Sequence, residues 1–287
     1  MAITTFDGIA AACAGGRRIR SEWNKSVGAF GTLAGRHYDL SAGAGYPGVN
    51  AWSGTALTFQ ECDQASGFSI LHGGNVSPSV KHVLDIGASA AQSPAVPSTV
   101  TLVDIEGYWP GISNNTTLAQ ALSGTPVTRA TNGDGLRLYL VQTASGGGAV
   151  QNLSLSYTNQ AGTSGRALPV TVTIYTSPTI NMISHSGVNS GNYAPFLPMA
   201  SGDYGVQNVA SVTFSVANTG TSALVLARPI AEIPIGIISG FHSKNLISQF
   251  ASLPIVPDGA CLSLVLAASG SIVSNSIFTG SVDFIWG

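Results

Sequence analysis

Apolar and polar side chains alternate in three segments between Gly135 and Thr176, the most regular pattern in the chain. Alternation with a period of two gives an extended strand one apolar and one polar face. Turn residues precede each segment, as in the Asn-Gly-Asp-Gly sequence that ends at Gly135. Alternating runs separated by turn signals are typical of antiparallel neighbours. The pattern therefore predicts a meander of three strands at 136–141, 152–158 and 168–175.

Similar alternation elsewhere predicts about ten strands, with turn signals at the intervals typical of sandwiches and barrels. Strands and helices do not alternate as they would in a parallel sheet. We therefore predict an all-β fold, an antiparallel two-sheet β-sandwich of the jelly-roll type. Segments 77–87 and 99–109 are expected to pair as a long hairpin, although a helix is the alternative for 77–87 because Pro follows a capping Ser there. Short helices are expected near 117–122 and 243–253.

The amino-terminal part has a different character from the rest. Residues 3–14 have apolar side chains at helical spacing and a capping Thr, which predicts a short helix. Residues 26–56 are rich in Gly and Ala and are expected to form an extended connection. We therefore divide the chain into a helix with a Gly-rich extended arm at 1–55 and a β-sandwich domain at 56–287.

A basic cluster follows the predicted helix. Four of the chain's eleven basic residues lie within nine positions, with a tryptophan among them. One interpretation is an arm that binds an acidic partner surface; the other is a solvated cluster whose tryptophan docks the helix on the core. The candidate partner-binding residues here are Arg17, Arg18, Arg20, Trp23 and Lys25.

Charge is scarce along the whole chain. Only 8% of the 287 residues are charged, against about 25% in an average soluble domain. Low surface charge favours association, so we expect the protein to pack against copies of itself or a partner. The net charge of −2 gives no long-range attraction to nucleic acid or to an acidic membrane, so neither is expected as a partner.

Targeting and cysteine signals are also informative. The first residues lack the pattern of a signal peptide, and no window has the length of a membrane span. The three cysteines, Cys13, Cys62 and Cys261, fit neither a disulfide framework nor a zinc site. We expect buried, reduced thiols and folding in a reducing cytoplasm.

No catalytic or metal-binding constellation is evident. The five histidines lack a second ligand at metal spacing. Asp104 and Glu106 lie two apart in a predicted strand and so share a face. Such a pair is used in glycoside hydrolysis, but a surface pair, or a pair bridged to Lys81 or Arg137, is the simpler interpretation. We predict no catalytic residue, no metal and no cofactor.

Aromatic residues are the remaining candidates for recognition. The segment 193–199 follows a loop rich in Gly, Ser and Asn, and we expect it to be an exposed contact loop. Tyr193 and Phe196 have the profile of interface anchors there. Trp52 and Trp109 could each be a sugar-binding platform, an interface anchor or a core residue.

Three segments carry a resemblance to a known class of proteins. Residues 67–87, 105–112 and 274–286 resemble virion structural proteins of tailed bacteriophages, and the chain is most similar to β-sandwich cement (decoration) proteins of the outer capsid. The resemblance implies trimers with jelly-roll bodies and extended amino-terminal arms that clamp neighbouring capsomers. It implies a non-enzymatic protein that binds the major capsid protein and itself at the virion surface, after folding in the host cytoplasm.

Three other functions remain open at this point. The chain could be a head-fibre or tail protein that binds host glycans through loop aromatics. It could be a sandwich-fold glycosidase that uses the carboxylate pair. It could also be a jelly-roll capsid protein that assembles alone into closed shells.

Overall fold

The computed structural model describes residues 3–28, 32–91, 97–126, 129–185, 195–247 and 253–287. These residues form one α-helix, one short 3-10 turn and three antiparallel sheets. The helix, α1, spans Phe6–Ala14, and the Oγ1 of its N-cap, Thr5, accepts a hydrogen bond from the Gly8 amide.

The strands are grouped into three sheets that we call A, B and C. Sheet A contains β1 (Arg18–Ser26), β3 (Gly45–Tyr46), β5 (Lys81–Ala90), β14 (His242–Asn245), β15 (Ile255–Val256) and β17 (Ile277–Trp286). Sheet B contains β2 (Arg36–Asp39), β4 (Gln60–Glu61), β6 (Ser98–Ser113), β8 (Arg137–Ala144), β13 (Thr221–Ile235) and β16 (Leu262–Ala268). Sheet C contains β7 (Gln120–Ala121), β9 (Gln151–Asn159), β10 (Arg166–Ala167), β11 (Val172–Ile174) and β12 (Val206–Phe214).

Sheet B is the centre of the molecule because its two long strands, β6 and β13, contribute to every core. One face of sheet B packs against sheet A at one end and against sheet C at the other. Leu102 lies in the first of these cores and Trp109 in the second. The opposite face of sheet B is covered by loops that contribute Trp52, Phe68 and Phe196 to a third core.

The all-β prediction is confirmed, in a sandwich that has three sheets where two were expected. Two pairings predicted from the sequence are wrong. β8 lies in sheet B and β9 in sheet C, so the predicted meander is divided between sheets. The expected hairpin does not form either, because β5 pairs in sheet A and β6 in sheet B. Alternation shows that a strand has a buried face but not which sheet covers it.

The expected local helices in the sandwich are also replaced by strands. The two-residue strand β7 lies within 117–122, where we expected a helix. Strand β14 covers the start of the second expected helix, at 243–253. Residues 248–252 of that segment lie outside the described residues. The amino-terminal helix is present, but the segment after it is β1, an inner strand of sheet A between β17 and β3. The basic cluster is therefore part of a sheet.

Lys25 explains how the Gly-rich segment after β1 is ordered. Its side chain is buried, and its ammonium group donates hydrogen bonds to the carbonyl oxygens of Ser41, Gly43 and Gly48 at 3.3, 3.1 and 2.6 Å. Gly45 is required in the same segment, because a Cβ there would lie 2.1 Å from the Asn24 carbonyl oxygen. Burial lowers the pKa of Lys25 to about 8.

Candidate partner-binding surface

The outer face of sheet A is the surface on which the structure brings recognition groups together. Side chains alternate along β1, so that Ser21, Trp23 and Lys25 point into the molecule while the residues between them are exposed. The pairing register continues this outer row across β17, where Arg20 lies opposite Asp283 and Asn24 opposite Thr279. The outer face is therefore formed mainly by polar side chains on a hydrogen-bonded sheet.

Two exposed aromatic rings stand on this polar face. Phe241 is 56% exposed and Tyr46 is 48% exposed. Phe241 lies over Gly87, where a Cβ would come within 2.2 Å of the ring. The Asn24 side-chain oxygen accepts a hydrogen bond from the Tyr46 amide at 3.0 Å, and this contact holds β3 beside β1.

These residues line an open groove of about 460 Å³ that we call the sheet A groove. Its side chains combine one cation, one anion, an amide, an aliphatic hydroxyl and three aromatic rings. They are Arg20, Glu22, Trp23, Asn24, Tyr46, Phe241 and Thr279. An exposed surface of this mixed composition, with aromatic and arginine side chains together, is typical of protein interfaces.

Charges beside the groove form a chain across three strands. The Arg18 Nη2 atom lies 2.9 Å from the Asp283 Oδ2 atom, and this contact raises the pKa of Arg18. Asp283 lies opposite Asp85 in the neighbouring strand. Burial, followed by the Asp283 carboxylate, raises the pKa of Asp85. The opposite charges compensate one another, so the face carries little net charge.

The residues predicted from the basic cluster are divided between the two faces of β1. Arg18 and Arg20 are exposed on the outer face, and Arg17 is half-buried before the strand begins. Trp23, 2% exposed, and Lys25 are in the interior. Lys25 is therefore removed from direct contact with a partner and binds the Gly-rich segment, whereas Trp23 lines the groove with almost none of its surface exposed.

The predicted contact loop is only partly described. Tyr193 lies outside the described residues. Phe196 is buried, with its ring centroid 6.0 Å from that of Tyr139 in an edge-to-face contact. Phe196 is therefore a core residue of sheet B, contrary to its expected role as an exposed anchor.

The two tryptophans left open by the sequence also belong to the core. Trp109 is fully buried, and its indole Nε1 donates a hydrogen bond to the Ser123 carbonyl at 3.0 Å. Trp52 packs edge-to-face on Tyr108 at 5.0 Å. Neither ring is presented to a sugar.

The carboxylate pair at Asp104 and Glu106 is buried and bound to Arg129. The Arg129 Nη2 atom lies 3.0 Å from the Asp104 Oδ1 atom and 3.5 Å from the Glu106 Oε2 atom. The expected bridge exists, but its cation is Arg129 and not Lys81 or Arg137. Burial raises the pKa of Glu106 to about 7, reinforced by Asp104 and opposed by Arg129. The pair is a structural ion-pair network in the interior and is not presented to a substrate.

Two further candidates for chemistry prove to be internal contacts. The Lys81 Nζ atom lies 2.7 Å from the His72 Nδ1 atom, and the His72 Nε2 atom lies 3.0 Å from the Ala260 carbonyl oxygen. Because an ammonium group only donates, His72 accepts at Nδ1 and carries its proton at Nε2. Burial, followed by the Lys81 charge, lowers the pKa of His72 to about 4, which agrees with a neutral ring.

Within the described ranges, no three His, Cys, Asp or Glu side chains are grouped so as to hold a metal ion. The helical segments of this part of the chain lack the length and hydropathy needed to cross a membrane.

Sequence reasoning missed Glu22, Asn24, Tyr46 and Phe241. Glu22 and Asn24 alternate with Trp23 and Lys25, and reading β1 as a strand would have placed them on the exposed face. Tyr46, in the two-residue strand β3, and Phe241, just before β14, are single aromatics in Gly-containing segments. Only the sheet order, which brings β3 and β14 to opposite edges of sheet A, relates them.

Comparisons with known proteins give little further information. No protein-family model and no curated protein matches the chain. Among solved structures, the chain is similar to infectious bursal disease virus proteins at low identity. A structure of the Gt strain has 11% identity, covers 94% of this chain and 80% of its own, and has a TM-score of 0.18. A VP2 subviral particle has 9% identity, the same coverages and a TM-score of 0.18. At these scores the backbones superpose too poorly for the likeness to carry an argument.

Proposed function

We propose that this chain is a non-enzymatic structural protein of a virus particle, a capsid cement protein that binds the major capsid protein and further copies of itself. The observation that carries the proposal is the outer face of sheet A. It presents exposed Phe241 and Tyr46 beside compensated charges, on a chain with few charges elsewhere. The sequence resemblance to phage cement proteins supplies the setting.

The physical role of such a protein is to add buried interface between capsomers. A stable interface buries about 1,200–2,000 Å² in total, and aromatic and arginine side chains carry much of its binding energy. In the sheet A groove these are Phe241, Tyr46 and Arg20. Glu22, next to Arg20 on the same face, would pair with a basic group of the partner and set the orientation of binding.

Binding to capsids tests the proposal directly. Purified protein is added to expanded capsids that lack it, and bound copies are counted by gel densitometry and cryo-electron microscopy. We expect saturable binding and a raised temperature of capsid disruption. The double variant Phe241→Ala with Arg20→Glu should weaken binding by at least tenfold, since one interface anchor contributes about 2 kcal/mol or more.

A matched control separates the groove from general loss of exposed apolar surface. Leu118 is 75% exposed and lies before β7 of sheet C. Leu118→Ala should leave capsid binding unchanged. The proposal is wrong if the unaltered protein neither binds nor stabilises expanded capsids, and self-assembly of the protein alone into closed shells would favour the capsid-protein alternative.

A further inference from the structure

Two of the three cysteines meet at a joint between strands. Strand β4 and strand β16 follow one another along the same edge of β6, where β4 pairs with residues 107–108 and β16 with residues 98–104. At the joint the Cys62 amide donates a hydrogen bond to the Glu106 carbonyl at 2.9 Å. The Cys261 carbonyl oxygen accepts one from the Ile105 amide at 2.8 Å. The two cysteines therefore stand opposite consecutive residues of β6.

Their side chains belong to the same hydrophobic core. Both cysteines are free, both are buried and both belong to the third core, on the loop-covered face of sheet B. After burial, the neighbouring Cys62 side chain is the next largest cause that raises the pKa of the Cys261 thiol. Tyr108 and Tyr139 belong to the same core.

In the native fold, the surroundings make both thiols slow to react. Burial raises the pKa of the Cys261 thiol well above its ordinary value. Because the thiolate is the reactive form, a buried neutral thiol reacts slowly. Oxidation then requires local opening at the joint, which is the kind of sub-global motion that short edge elements undergo most readily.

We propose that Cys62 and Cys261 form a latent disulfide, reduced when the chain folds and closed when the folded protein meets a small-molecule disulfide. The two cysteines already stand next to each other along the same edge of β6 and belong to one core, so bond formation links residues that are neighbours in the fold. This modification site does not depend on the proposed capsid function.

The reaction begins at Cys62. This residue follows a two-residue edge strand whose only partner among the named strands is β6, whereas Cys261 leads directly into seven-residue β16. On opening, the Cys62 thiolate attacks one sulfur of the small disulfide and displaces one small thiolate. The Cys261 thiolate then attacks the sulfur of Cys62 and displaces the second. Two protein thiols lose their protons and are oxidised, and one small disulfide is reduced to two thiols.

The new bond would link distant parts of the sequence. It joins the loop after β4 to the start of β16 and closes a loop of about 200 residues, which restricts the unfolded chain strongly. We expect the melting temperature to rise by about 5–10 °C on oxidation and to return on reduction.

The full-length Cys13→Ala protein tests the proposal with both buried cysteines intact. Cys13 is exposed on α1, and its removal prevents links between molecules. The protein is incubated with oxidised glutathione in urea just below its unfolding transition, then digested without reduction. We expect a mass lower by about 2 Da and a linked pair of peptides that contain Cys62 and Cys261.

Two results would overturn the proposal. One is a stable mixed disulfide at either cysteine without the internal link. The other is the absence of the linked peptides while the same treatment modifies Cys13 in the unaltered protein. Cys62→Ala and Cys261→Ala should each abolish both the mass loss and the temperature shift; either effect persisting in a folded variant would count against the pair.

Discussion

At the scale of single residues, this sparsely charged protein contains ion pairs whose carboxylates differ in how many hydrogen bonds they accept. Asp203 accepts hydrogen bonds from Tyr157, Asn159 and Arg166 at 2.6, 2.7 and 2.9 Å. Burial alone would raise the pKa of Asp203, but these three partners outweigh it and hold that pKa below the ordinary value. Glu106 shares Arg129 with Asp104, and neither of its oxygens has a hydrogen-bond partner among the described residues.

We expect Glu106→Gln to stabilise the protein at pH 8 by about 1–3 kcal/mol. The folded-state pKa of Glu106 is about 7 against an ordinary value of 4.5. The folded protein therefore keeps a proton that the unfolded chain releases, and stability falls as the pH rises from 4.5 to 7. Glutamine is neutral throughout, so the variant should lack this fall. Urea denaturation at pH 4, 6 and 8 measures it.

The exposed Glu22 provides the matched control, because Glu22→Gln makes the same chemical change without removing a buried carboxylate. Equal pH profiles for the unaltered protein and Glu106→Gln would show that Glu106 is ionised in the fold.

Asp203→Asn should have the opposite effect and destabilise the protein by about 1 kcal/mol at pH 7, since charge-assisted hydrogen bonds to a partly buried carboxylate are lost and solvent screens part of their energy. The pKa of Asp203 is lowered, so its contribution is present above the unfolded-state pKa and is lost as the pH falls through the folded-state pKa. The difference between Asp203→Asn and the unaltered protein should therefore shrink in acid. Glu232→Gln, at an exposed position of β13, is the matched control.

At the scale of elements, alternation located most strands but not their partners. β1 shows the limit of the pattern, because the sequence leaves its lysine and tryptophan open between an exposed basic arm and a solvated cluster whose tryptophan docks on the core. The structure turns the same two residues inward, where three carbonyl oxygens solvate the Lys25 ammonium group. A charged side chain on a buried face is rare, so local sequence gave no reason to expect it.

Lys25→Met should loosen the Gly-rich segment without unfolding the sheet. Without the ammonium group, three backbone carbonyl oxygens lose their donor, while removal of a buried charge offsets part of the cost. We expect hydrogen exchange of amides in 41–48 to accelerate by about tenfold, with the amides of β17 unchanged. Exchange followed by mass spectrometry resolves the two segments, and uniform acceleration of both would contradict a local role for Lys25.

At the scale of the whole molecule, the sequence predicted a sandwich but not its division into two cores on one face of a shared sheet. The reason is physical: β6 and β13 are buried on both faces over much of their length, and bulges interrupt their register. The alternation of side chains does not show which sheet covers a given face of a strand. It also does not show where a bulge changes which residues lie on that face. The groove depends on sheet order and was unpredictable for the same reason.

Because sheet B belongs to both cores, we expect the molecule to unfold as one unit. Leu102→Ala, in the core under sheet A, and Leu155→Ala, in the core under sheet C, should each lower stability by about 2–5 kcal/mol. Each should accelerate hydrogen exchange of slow amides in both β17 and β12. Acceleration confined to the sheet nearest the substitution would show two independently unfolding units.

The pairing of β6 with β13 has a mechanical consequence. Thirteen residue pairs join the two strands in antiparallel register, and the strands run the length of the shared sheet. A load applied along these strands acts on their hydrogen bonds in shear, so many must break together, whereas a load across the strands would open them one after another. We expect pulling experiments to find higher rupture forces along β6 than across it, and a protein that must resist strain in one direction gains from that anisotropy.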